Sequence, residues 1–102
     1  MNGYYIFSKE IADFLMSYQP ADEHITSHPE IYKIGRIFNL INISDEMRQE
    51  IRNNVVKFYN RLMDNEIIYD ENGKYNGRTD QWWKYSTAMM SVTTAIDYYK
   101  YL

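Results

Sequence analysis

Residues 67–85, IIYDENGKYNGRTDQWWKY, constrain the fold more than any other stretch of the chain. Asn72-Gly73 sits between two β-prone segments. That is the signature of a two-residue type I′ hairpin turn, which needs positive φ at both central positions. Such a turn sets Glu71 opposite Lys74 and Tyr69 opposite Asn76, with an opposite-charge pair next to the turn. Gly77 then releases the chain, and Thr79 or Asp80 caps a long helix running to about Tyr101. The clustered Asp, Glu and Asn also invite a calcium-loop reading. An EF-hand, however, needs glycine at the sixth loop position and glutamate at the twelfth. Counted from Asp70, the glycines fall fourth and eighth, and the twelfth residue is Gln81. The stretch is a hairpin that leads into a helix.

The remaining pattern is mainly helical. Residues 4–7, YYIF, suit a short N-terminal strand. Ser8 reads as an N-cap, and Ile11, Phe14, Leu15 and Tyr18 follow at the spacing of a helix face, ended by Pro20. After a polar loop, Ser27-His28-Pro29-Glu30 matches the capping box, with Pro29 tolerated in the first turn. Ile31, Ile34, Ile37, Phe38, Leu40 and Ile41, with Ile43 just beyond, cover most of the second helix, which is therefore expected to be the most buried. Gly35 within it permits a close helix contact. Asn42, Ile43 and Ser44 form a tight turn, and Ser44 caps a third helix with Asp45 and Glu46 at its positive end. Met47, Ile51, Val55, Phe58 and Leu62 stripe that helix to about Asp64. The expected fold is mainly α with a minor β part. It is a four-helix domain with a small β-hairpin before a long C-terminal helix, and a short N-terminal strand.

Size and composition narrow the classes. A chain of 102 residues makes one compact domain spanning 1–102. No run approaches the roughly 20 apolar residues of a membrane helix, and MNGYYIFSKE has no signal-peptide character. With no cysteine, disulfides and zinc–thiolate sites are excluded, which suits an intracellular, cytoplasmic protein. Phe, Tyr, Met, Ile, Asn and Lys total 48 residues against 15 for Gly, Ala, Arg and Pro. That bias follows A/T-rich codons and fits a virus, a mobile element or a low-GC cell; a viral protein would act in the host-cell cytoplasm.

Signs of catalysis are weak. The four glycines are scattered and form no phosphate loop, and no serine sits on a nucleophile elbow. His24 and His28, near Asp22, Glu23 and Glu30, are the only cluster with metal-ligand character. The helix starts after His24, so the pair does not share a helix face and reads as loop histidines. Adjacent acids at 22–23, 45–46 and 70–71 sit at helix starts and turns, where capping and solubility explain them. The expectation is a non-enzymatic protein without cofactor or metal.

The order short strand, helix, helix, tight turn, helix, hairpin, helix, with FYNRLMDNEIIYDENGKY at its junction, resembles winged-helix DNA-binding domains over residues 4–78. The resemblance implies a third helix in the major groove and a transcription-regulatory role. Arg48 and Arg52 would then contact nucleic acid, with Lys74 and Arg78 near the backbone. The third helix is longer than a usual recognition helix, and residues 45–84 hold eight acidic and seven basic residues. Arg48, Arg52, Lys57 and Arg61 fall as two pairs on different helix sides. A net charge of −3 also disfavours a phosphate-gripping protein.

Eleven tyrosines and two tryptophans exceed what one small core encloses. On the last helix, Trp82, Tyr85, Met89, Val92, Ile96 and Tyr99 share one broad side, with Ala88 and Ala95 at its edge. Trp83, Met90 and Tyr101 share another, at heptad-like steps that pass Asp97. That second stripe is expected to be an interface, with a homodimer the simplest case and a protein partner the other. The competing expectation is that Tyr4–Phe7 fold over the stripe.

Overall fold

The computed structural model describes residues 7–20 and 30–102. The expected residues 4–6 of an N-terminal strand, and the capping-box residues 27–29, lie outside them. The elements are α1 (Lys9–Ser17), α2 (Glu30–Ile37), α3 (Asp45–Asp64), β1 (Ile67–Tyr69), β2 (Tyr75–Arg78) and α4 (Asp80–Tyr98), followed by a 3₁₀ turn at Tyr99–Tyr101. The fold is mainly helical, with a two-stranded antiparallel hairpin before the long C-terminal helix.

Three helices begin where a hydroxyl can cap them. Ser8, Ser44 and Thr79 have extended backbones, and their side chains accept the amides of Ile11, Met47 and Trp82. Each cap satisfies one amide that the first turn leaves without a helical partner.

The second helix departs from expectation. It ends at Ile37, so Leu40 and Ile41 lie beyond it. Asn39 takes a left-handed φ of 54°. The Asn39 amide then donates to the Arg36 carbonyl, and the Leu40 amide to the Gly35 carbonyl. This is a Schellman motif, with Leu40 and Ile34 both in the core behind it. Nor is α2 buried all round: Ile31, Ile34 and Gly35 face inward, while Tyr32, Lys33 and Arg36 are exposed. The apolar residues past Ile37 belong to the turn, which explains the overestimate.

The hairpin exists, but its turn differs. Asn72 keeps a negative φ and only Gly73 is left-handed, at 76°. The Gly73 amide donates to the Asp70 carbonyl and the Asp70 amide to the Lys74 carbonyl. Asp70 Oδ1 also accepts the amides of Asn72 and Lys74, at 2.9 and 2.8 Å. The aspartate holds the turn in the right-handed form, so the loop is three residues, Glu71-Asn72-Gly73, the last of them a left-handed glycine. Tyr69 consequently pairs with Tyr75 and not with Asn76, and a bulge follows before Ile68 meets Gly77.

α3 and α4 run antiparallel, because the hairpin returns the chain at the end of α3. Arg52 early in α3 meets Asp97 late in α4, and Tyr59 packs near Tyr85. On α4 the deeply buried residues include Ala88, Val92, Ala95 and Ile96, while Trp82, Tyr85, Met89 and Tyr99 pack around them. The alanines thus sit at the centre of the contact and allow close helix approach. On α3 the buried row is Ile51, Val55, Tyr59 and Met63, whereas Met47 is exposed. Phe7 packs edge-on against Phe38 and Phe58, away from the Trp83 stripe.

Candidate interaction surface

The outer face of α4 exposes several large apolar side chains along one helix. Trp83, Met90 and Tyr101 are 58%, 63% and 72% exposed. Tyr98 joins them, with its ring 5.7 Å from that of Tyr101. From Trp83 to Tyr101 the stripe runs about 27 Å at the α-helical rise. Trp83 is held in place: its ring meets Trp82 edge-on at 4.9 Å, and the Arg78 guanidinium lies 3.8 Å from the Trp82 ring centre. A braced aromatic loses little side-chain freedom on binding, which favours it as an anchor.

The residues between these anchors are less polar than their names suggest. Tyr85–Ile96, YSTAMMSVTTAI, is twelve residues without a charge on any side of the helix. Thr87 and Thr94, exposed on the same face, donate their hydroxyls to the carbonyls of Trp83 and Met90 at 2.9 and 2.7 Å. Their hydroxyl protons are satisfied within the helix, so removing this face from water strands few donors. Asp97 is the one carboxylate on the stripe, and it accepts from Arg52 Nε at 2.8 Å.

The four cations assigned to nucleic acid are not brought together. Arg48, in the first turn of α3, has its side chain only 11% exposed and bonded to Asp45. Arg52 is engaged by Asp97. Lys74 and Arg78 belong to the hairpin, beyond the opposite end of α3, about 24 Å along the helix from Arg48. Arg78 is committed to the tryptophans.

Two clefts are lined by described residues. One, of about 420 Å³, is lined by Tyr32, Leu40, Ile41, Asn42, Ile43, Arg48, Tyr99, Lys100 and Leu102. Its described lining offers cations and phenols but no carboxylate or imidazole side chain. The other, of about 230 Å³, lies beside Tyr18, whose phenol donates to Glu30 at 2.9 Å. Burial, then the bond to Glu30, raises the Tyr18 pKa well above its ordinary value, so it is a poor proton donor near neutrality. His24, His28, Asp22 and Glu23 lie outside the described residues. Among the described ones, no group of three or more His, Cys, Asp or Glu could hold a metal, and no helix is long and apolar enough to cross a membrane.

Comparison with family models, curated proteins and solved structures finds no match to this chain.

Proposed function

We propose that this chain is a small non-enzymatic interaction module that associates through the outer face of α4, most simply with a second copy of itself. The observation that supports this is the exposed Trp83–Met90–Tyr101 stripe on a helix whose middle twelve residues carry no charge. One side of α4 already packs on the domain, and an exposed Trp-Met-Tyr stripe on its other side is the kind of apolar patch that association covers. Such a regulator suits an intracellular setting, and the A/T-rich composition suits a virus or mobile element. Duplex DNA is the alternative partner. The order of helix, hairpin and helix speaks for it, and the separation of Arg48 and Arg52 from Lys74 and Arg78 speaks against it.

Sedimentation of the wild type and of the double variant Trp83→Ala, Met90→Ala tests the reading. The wild type should dimerise with rising concentration, and the variant should remain monomeric while melting close to the wild type in dilute solution. A wild type that stays monomeric at its solubility limit, with a variant that melts far lower, would assign the stripe to the fold and reject the interface.

A further inference from the structure

We infer that two copies pair through α4 in antiparallel orientation, about a two-fold axis level with Val92. This rests on the self-association proposed above and specifies its geometry. Along the exposed face, Trp83, Thr87, Met90, Thr94, Asp97 and Tyr101 recur at alternating steps of four and three. All six are exposed. Alternating steps of four and three form a helix-pairing seam, with Thr87, Thr94 and Tyr101 in one set of core positions and Trp83, Met90 and Asp97 in the other. Tyr101 stands in the 3₁₀ turn that prolongs the helix.

Charge selects the direction. In a parallel pair, each seam residue meets its own copy, so Asp97 would face Asp97 across the core, a like-charge contact that each Arg52 only partly offsets and that disfavours binding. In the antiparallel pair, residues symmetric about Val92 come level. Trp83 meets Tyr101 of the second copy, Met90 meets Thr94, and Asp97 meets Thr87. Lys84 then lies only three residues, about 4.5 Å of axial rise, from the level of the second copy's Asp97. The two-fold axis makes that attraction twice. Antiparallel helix dipoles add to the preference. The Thr87 and Thr94 hydroxyls, already bonded within their own helix, present their methyl groups to the seam.

Disulfide trapping reads the orientation, and the chain has no cysteine of its own to confuse it. In the antiparallel pair, the two copies of residue 87 stand about 15 Å apart along the axis, beyond the roughly 7 Å limit for a disulfide. Residue 87 is instead level with residue 97 of the second copy. Under mild oxidation Thr87→Cys alone and Asp97→Cys alone should each stay monomeric on a denaturing gel, and an equimolar mixture of the two should give a crosslinked dimer. Crosslinking of either variant alone would overturn the antiparallel arrangement while leaving self-association through α4 intact. No crosslink in any of the three samples, with a wild type that sediments as a dimer, would move the interface off α4 and reject both readings. A monomeric wild type would likewise remove both.

Discussion

The ring of Tyr99 lies against the backbone of Gly35. A Cβ built on that glycine would overlap ring carbons Cε2 and Cζ and stand 2.8 Å from the hydroxyl oxygen. This contact fastens the end of α4 to the middle of α2. In isolation Gly35→Ala should favour α2, since glycine costs a helix about 1 kcal/mol relative to alanine. In the folded chain the methyl group displaces the tyrosine ring. The two effects separate in a double-mutant cycle: Gly35→Ala should destabilise the wild type and stabilise the Tyr99→Ala variant. The expected coupling is about 1–3 kcal/mol by denaturant melts. Independent effects would show that the ring escapes without loss.

The hairpin offers a sharper test of local geometry. Gly73 has open space around its Cβ position, so only its φ of 76° resists substitution. Gly73→Val should therefore cost about 1–2 kcal/mol, the penalty for left-handed backbone at an L-residue. Asn72→Ala should be nearly neutral, because Asn72 keeps a negative φ. Equal losses at both positions in thermal melts would restore the type I′ turn that the Asn-Gly pair suggests.

That difference shows where the sequence was legible. Ser8, Ser44 and Thr79 act locally, on amides three residues away, and their roles follow from residue type. Asp70 also acts locally, but its carboxylate competes with the Asn-Gly preference and decides the hairpin register. At Asn39 the apolar spacing of Ile34, Phe38 and Ile41 continues as though the helix did; only the left-handed backbone ends it. Residue type alone places Tyr59 at the core boundary, where tyrosine usually sits. Here its hydroxyl donates to the Leu15 carbonyl at 2.7 Å, which makes full burial acceptable. Arg52 and Asp97 stand 45 residues apart in sequence, and no spacing rule links them. The outer stripe of α4 was legible because a surface helix that carries Trp83, Met90 and Tyr101 on one side breaks the usual polar pattern.

Duplex DNA should bind weakly and without dependence on α3. Arg48 and Arg52 already have carboxylate partners, so neutralising them removes little available positive charge. In a shift assay at low salt, Arg48→Gln with Arg52→Gln should leave any retardation unchanged. A steep loss in that variant, together with strong weakening by salt, would support the winged-helix reading.

Alkaline pH should unfold the protein through two of its tyrosines. Burial, with a smaller contribution from nearby Tyr85, raises the pKa of Tyr59 well above the ordinary 10.0. Burial and the bond to Glu30 do the same for Tyr18. The fold therefore favours the neutral phenols. Their contribution is complete below pH 10.0, the value in the unfolded chain, and declines as pH rises beyond it because the unfolded chain releases protons first. Titration followed by phenolate absorbance should show these two tyrosines ionising only as helical circular dichroism is lost. Tyr59→Phe separates the causes. It should lower stability at neutral pH by about 1–3 kcal/mol, since the buried Leu15 carbonyl loses its donor. It should also flatten the decline above pH 10.0. A variant with the same alkaline slope as the wild type would show that Tyr59 does not govern the transition.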